Sequence, residues 1–317
     1  MQGYDHMQSL NMLTCELEDW FHILGTNGPP PREQWSGLTL RAEASVRRML
    51  DLFAEKGVRA TFFCLGWMAE RMPALVRDCH RAGHEIGSHG YAHVLAYDVG
   101  PQAFREDLEH AKKILEDIIG ERVHGFRCPG FSVTDANRWV FDVVAETGHT
   151  YDASVFPAHH GHGGLEGTPA GPHVVTTASG PLVEFPVSTV PFLRSRVCLF
   201  GGGYLRLFPL PVIRWGIRRL REDGLPLIIY IHPREIDPEH PRLPLKLRRR
   251  FKCYVNLRTT MRKLTWLCEH CVFTTMGEVA ARIQSMAQDH VVAVPVSVGA
   301  EETAIFDLAR AEESPVR

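Results

Sequence analysis

Two histidines four residues apart, His89 and His93, lie in the segment GHEIGSHGYAH, and three carboxylates cluster in Glu16-Leu17-Glu18-Asp19 after an apolar stretch. Two imidazoles and one carboxylate make a three-donor set with positions left open for water, the pattern of a catalytic rather than a structural zinc centre. Both rings of an HxxxH pair can reach one ion on a helical turn or a curled loop. Along an extended strand Glu16 and Glu18 face one way and Leu17 and Asp19 the other. Glu16 and Glu18 are therefore expected in the site together, one holding a cation and one acting as a base near bound water. If the strand stops at Leu17, Asp19 becomes the alternative ligand. His232 follows the apolar run PLIIYI and suits a general acid, because an imidazole titrates near neutrality. Arg127 suits the task of orienting a carboxylate and keeping it ionised. Each residue also has a plainer reading as a salt bridge, helix cap or core histidine.

For these groups to meet, the chain must bring several strand ends to one rim. Short apolar runs alternate with amphipathic stretches, which predicts an α/β protein with a parallel sheet or barrel. Strands are expected at 10–17, 60–65, 84–88, 125–127, 150–154, 182–187, 226–231 and 272–275. Helices are expected at 40–56, 73–82, 101–119, 136–147, 210–221 and 261–269, several of them closed by glycine. This amounts to about eight strand–helix beats over residues 10–285, the rhythm of a βα barrel whose ligands bind at the carboxyl ends of the strands. Residues 1–285 are taken as one domain and 286–317 as a C-terminal strand and tail.

The chain has 317 residues, with 35 basic and 37 acidic side chains and a net charge of -2, which argues against a dedicated nucleic-acid binder. No apolar run reaches the length of a membrane span, and the N-terminus lacks a secretory pattern. The eight cysteines include several inside apolar runs, which favours free thiols and a cytoplasmic setting. Cys268 and Cys271 form a CxxC that no second pair answers, so they read as two thiols at a helix end. The basic stretches Arg214–Arg221 and Lys246–Lys252 read as a solvated helix face and a surface loop. The sharper alternative is contact with anionic groups or a membrane surface. Of 17 histidines, His159, His160 and His162 fall in a glycine-rich loop and are expected at the surface.

The segments LTCELEDWFH, ATFFCLGWMAER, GHEIGSHGYAH, GFRCPGFSVT, YDASVFP, LVEFPVST, GGGYLRLFP and IIYIHPREIDP together resemble the polysaccharide deacetylase (NodB homology, carbohydrate esterase family 4) superfamily. They are most similar to its exopolysaccharide- and exosortase-associated subgroup. The resemblance implies a distorted (β/α)7 barrel and a metal-dependent deacetylase acting on an acetylated glycan. It places the catalytic base at Glu16, metal ligands at Glu18, His89 and His93, the base-orienting arginine at Arg127 and the general acid at His232. Zn²⁺ is the expected ion, with Co²⁺, Ni²⁺ and Fe²⁺ allowed by the ligand types. An N–H near Tyr91 is expected to hold the oxyanion, and Tyr91, Pro129, Phe131, Gly202 and Tyr204 to line the sugar cleft. Glu16 stands where the family usually has aspartate, and Cys128 where it has a small residue. Asp152 is the nearest counterpart of a further family aspartate. Two rival readings are a polysaccharide binder weakened by Glu16 and a metal-assisted hydrolase of small cyclic amides.

Overall fold

In the computed structural model, residues 11–24, 28–193 and 195–289 are described. The expected strand and tail within 290–317 lie outside them. The first strand, β1 (Asn11–Leu17), is buried at every position, as expected of a strand covered on both faces. It is followed by β2 (Thr61–Cys64), β3 (Glu85–Ser88), β4 (Gly125–Phe126), β5 (Tyr151–Asp152), β6 (His173–Thr177) and β7 (Gly180–Glu184). A hairpin of β8 (Thr189–Phe192) and β9 (Ser195–Cys198) stands apart, and β10 (Ile228–Ile231) and β11 (Phe273–Thr274) return to the main sheet. The strand order is β10-β1-β2-β3-β4-β5-β7-β6, with β11 also on β1. All pairings are parallel except β6 with β7, and β8 with β9.

Seven parallel strands thus curl from β10 round to β7, a distorted (β/α)7 barrel. The eighth expected strand, β11, touches only the first two residues of β1. No ladder joins β7 to β10 among the described residues. A side chain bridges the seam instead: Ser188 Oγ donates to the Pro226 carbonyl (3.0 Å) and accepts from the Ile228 N–H (2.8 Å).

The helices follow the strands. After β1 comes α1 (Ala42–Lys56), which buries Ala42, Val46, Met49 and Phe53 at helical spacing and stops at Gly57 in the left-handed region. Then come α2 (Gly66–Arg71), α3 (Pro73–Arg81), α4 (Ala96–Ile119) and α5 (Trp139–Glu146). Gly100, at φ 77, breaks α4 into two limbs, and the second is the expected helix from Pro101. The last five are α6 (Gly202–Leu207), α7 (Leu210–Glu222), α8 (Leu247–Tyr254), α9 (Leu257–His270) and α10 (Met276–Asp289). Lys246–Lys252 is therefore mostly helix α8 rather than a surface loop. Helix α7 keeps Arg214, Arg218 and Arg221 outward and buries Ile213, Ile217 and Leu220. Helix α10 runs through residue 285 without a break. No helix among the described residues is long and apolar enough to cross a membrane.

Alternation on β1 sorts the interior by height. Leu13, Cys15 and Leu17 join the outer core with α1, α3 and α9. Met12 joins Phe63, Tyr151, Phe185 and Ile228 inside, and Met276, Val279 and Ile283 of α10 close that apolar floor. Thr14, Glu16 and Glu18 rise above it on the same side. All eight cysteines are free and buried, and burial pushes the Cys268 thiol up to about 12, so that pair is apolar filling.

Two more histidines serve the core. His84 packs on Phe53 and Phe62 and accepts the Ala60 N–H at 3.1 Å; burial holds it down at about 4. Burial, with Lys112 adding, holds His149 down at about 3. Both pKa values lie below the unfolded value near 6.5, so their contribution is complete above that pH and is lost as pH falls through it. The melting temperature is expected to fall from pH 7 to pH 5, each histidine removing ~1 kcal/mol per pH unit in that window. A flat melting profile there would contradict their burial as neutral rings.

Candidate active site

Glu16 sits near the end of β1, Glu18 just beyond it, His89 one residue past β3, and Arg127 and His232 directly after β4 and β10. The barrel brings all of them, with His93, to its carboxyl rim. Glu18 Oε1 lies 3.1 Å from His89 Nε2 and 2.8 Å from His93 Nε2. The Arg127 carbonyl, which can only accept, is 2.7 Å from His89 Nδ1. In the neutral ring the proton is therefore on Nδ1, and a bare Nε2 lone pair faces the Glu18 carboxylate. His93 Nε2 is buried and, although 2.8 Å from Glu18 Oε1, is not aligned for a hydrogen bond to it. Three acceptors converging in this way fit a divalent cation, and the Arg127 carbonyl on Nδ1 turns the His89 ring so that Nε2 faces the ion site.

Glu16, Glu18 and His232 also lie close enough to hold an ion. Glu16, however, is already engaged at both oxygens: Arg127 Nη1 at 3.1 Å and His232 Nε2 at 2.6 Å. Arg127 is wholly buried and is itself fixed by Thr14 Oγ1 (2.6 Å) and the Ala153 carbonyl (3.0 Å). Burial pushes the Glu16 carboxyl up, but His232 and Arg127 outweigh it and bring it down to about 2. Burial likewise opposes charge on Glu18, and His93 and His232 hold it well below the usual range. On His232 burial works against the proton, but Glu16 and Glu18 raise the ring to about 10. Glu235, three residues on and 3.6 Å from His232 Nδ1, supports it and is itself paired with Arg206.

Asp19 is not at the ion site. Its carboxylate accepts the N–H groups of Trp20, Arg41 and Ala42, capping the start of α1. Although β1 ends at Leu17, where the Glu18 N–H turns back to the Glu16 carbonyl (2.8 Å), these three bonds hold Asp19 away from the ion site.

A cavity of about 250 Å³ opens over Glu16, Glu18, His93 and His232. Phe131, Gly202 and Tyr204 line it as expected. Gly201 shows why the glycine run is there: a Cβ on it would lie 2.0 Å from the Tyr230 ring. Tyr91 and Pro129 do not line the cavity. The Tyr91 hydroxyl donates to Glu70 and its N–H to Asp107 (2.7 Å), while the Ala92 N–H goes to the other Asp107 oxygen (2.9 Å). The backbone donors expected for an oxyanion at Tyr91 are therefore already committed. Pro129 is buried, and its neighbours Gly130 and Phe131 line the cavity in its place. Asp152 is below the rim with Glu184; burial raises both carboxyls, and the Ser154 hydroxyl donates to Asp152 at 2.5 Å.

Several wall residues went unnoticed in the sequence. His160 and His162 line the cavity rather than the surface. His22 accepts the Asp19 N–H at Nδ1 (2.9 Å), so its ring proton is on Nε2, which is buried in the wall beside His93 without a partner. Its only signal was its place in LTCELEDWFH, six residues after Glu16.

A parallel βα barrel with a His₂-carboxylate cluster beside an arginine-held glutamate and a histidine defines a NodB-type deacetylase barrel. Residues 36–151 match the family model Polysaccharide deacetylase, and residues 153–281 match Domain of unknown function (DUF3473). The resemblance to the polysaccharide deacetylases is thus carried by residues 36–151, and the two matches together span residues 36–281. It is 34% identical over 102 residues to a peptidoglycan-N-acetylglucosamine deacetylase of Bacillus cereus, covering 32% of this chain and 46% of that one. It is 34% identical over 80 residues to a chitooligosaccharide deacetylase of Azorhizobium caulinodans, covering 25% and 38%. The chain thus spans less than half the length of these relatives. Among solved structures, a Mycobacterium smegmatis protein assigned to the polysaccharide deacetylases superposes with TM-score 0.62 at 20% identity, over 92% of this chain and 94% of that one. PuuE allantoinase superposes with TM-score 0.58 at 18% identity, over 89% and 91%. These two likenesses concern the fold.

Proposed function

We propose that the protein is a metal-dependent hydrolase that removes N-acetyl groups from an amino sugar in a poly- or oligosaccharide. The observation that carries this reading is the pairing of two units at one rim: the Glu18–His89–His93 donor set and the Glu16–His232 pair. Glu18, His89 and His93 would hold the cation, Zn²⁺ by preference. Bound there, it supplies Lewis-acid polarisation of the acetyl carbonyl and a lowered pKa for water.

The protein's own groups begin in the charge states the reaction needs. Glu16 is ionised and takes the proton of the attacking water. Arg127 keeps that carboxylate charged and fixed until it does. His232 is protonated and delivers its Nε2 proton to the leaving nitrogen, so that acetate and a free amine depart. The Nε2–H of His22, an unpartnered donor beside His93, takes the place left by the committed Tyr91 N–H. Tyr204 and Phe131 offer ring faces to the sugar.

The buried free thiols favour a reducing, cytoplasmic location, and the sequence resemblance favours a role in exopolysaccharide assembly. The reading is tested by acetate release from chitooligosaccharides and peptidoglycan fragments with Zn²⁺-loaded protein. Loaded protein that releases no acetate from any acetylated glycan would sink it. Turnover of a hydantoin-like ring instead would assign the site to cyclic amides.

A further inference from the structure

Three cationic side chains around the cavity have no anionic partner among the described residues. Arg234 lies two residues after His232 in the short turn Pro233–Ile236, and its Nε and Nη1 are buried without a hydrogen-bond partner. Arg249, on α8, gives one guanidinium N–H to the Leu24 carbonyl, while its Nε is buried and unpartnered. Lys252, on the same helix, is exposed at the cavity mouth. The acids of the cavity cannot serve them. Glu16 is held by Arg127 and His232, and Glu18 by His89 and His93.

A surface cation without a partner is solvated and needs no explanation. Buried guanidinium N–H groups are different, because water no longer satisfies them and leaving them unpaired costs stability. The chain as a whole is slightly acidic, at net charge -2, so the excess is local to this wall. A cleft lined by one sign of charge concentrates ligands of the other, and a guanidinium fork matches the oxygens of a carboxylate or phosphate.

We propose that Arg234, Arg249 and Lys252 form a subsite for an anionic group, a carboxylate or a phosphate, carried by the glycan away from its acetyl group. The inference rests on the deacetylase reading for the rest of the ligand. The neutral part of the substrate meets Phe131 and Tyr204, and its charged part meets the guanidinium groups.

The test is calorimetric binding to the Zn²⁺-loaded full chain. Three probes are compared: neutral chitotetraose, a tetrasaccharide alternating N-acetylglucosamine with glucuronic acid, and chitotetraose 1-phosphate. At least one anionic probe is expected to bind ~10-fold more tightly than the neutral one at low salt, with the gap closing as salt rises. Preference for the carboxylate identifies an acidic sugar, and preference for the phosphate identifies a phosphorylated end. In Arg234→Gln/Arg249→Gln the anionic-to-neutral ratio falls toward one. In Lys252→Gln, whose side chain is exposed and carries little folding risk, it falls in part. Equal binding of all three probes by the unaltered protein, or an unchanged ratio in the double variant, overturns the proposal. Acetate release is scored separately. Anionic preference without turnover leaves the subsite standing and removes the deacetylase reading, and turnover without preference does the reverse.

Discussion

Replacing Glu16 by aspartate will lower activity rather than restore it. Family resemblance alone leaves both outcomes open, since aspartate is the usual base there. The geometry decides between them. Glu16 spans two fixed partners, Arg127 Nη1 at 3.1 Å and His232 Nε2 at 2.6 Å. Arg127 cannot follow a retreating carboxylate, because Thr14 and the Ala153 carbonyl hold it. Removing one methylene withdraws the carboxylate by about 1.5 Å, a displacement that commonly costs ~100-fold in rate. Glu16→Gln keeps the length but abolishes the base, and a loss of ~1000-fold or more is expected. Both are read from kcat/KM for acetate release, with the melting temperature checked in parallel. An aspartate variant as fast as the parent would mean that Glu16 is merely tolerated and that the rim readjusts.

Chelation, or the loss of either ligating histidine, is expected to reduce turnover by at least ~1000-fold, since both the polarised carbonyl and the activated water depend on the ion. A second readout is independent of activity. A ligand that binds only the folded state stabilises it by ~2.7 kcal/mol at a hundred times its Kd. Added Zn²⁺ should therefore raise the melting temperature of the parent and leave that of His93→Ala nearly unmoved. His89→Ala should show the same loss plus some destabilisation, because His89 also bonds the Arg127 carbonyl. A metal-stripped protein that keeps full activity, or a His93→Ala variant that still gains the thermal shift, would exclude this donor set.

The parts of the site that were legible in the sequence depend on strand geometry. Alternation along β1 puts Thr14 and Glu16 on one face, and the ends of apolar runs place His89, Arg127 and His232 at one rim; what removes Asp19 is its cap on α1, which the sequence does not show. The misreadings involve residues whose roles depend on distant partners. Nothing in GHEIGSHGYAH reveals that Asp107, on α4, takes up both backbone donors beside Tyr91. Helix α8 was invisible for a related reason. LRRRFKCY has Leu247, Phe251 and Tyr254 at helical spacing, but its basic run hides them, and Leu247 and Phe251 stay exposed while only Cys253 is buried. The hairpin β8–β9 pairs outside the main sheet, and β6 is an antiparallel edge strand, so neither follows the βα beat. His160 and His162 lie in a loop without periodicity, and only the folded chain shows that it lines the cavity wall.

The seating of β1 has a consequence for how the protein must be made. Its neighbours β10 and β11 are among the last strands to be synthesised. Thr14 bonds the Ile229 carbonyl 215 residues away, and Asn11 bonds the Val272 carbonyl 261 residues away. Closing loops of that length is an entropic cost met only once most of the chain exists. The metal donors are all within the first 93 residues, yet on the ribosome the strand that carries Glu16 has one edge unpaired until β10 emerges. The two matched segments, 36–151 and 153–281, are thus not independent folding units. The first contains neither β1 nor its closing partner, so a chain cut between them would display two acids on an open strand and no enclosed chamber.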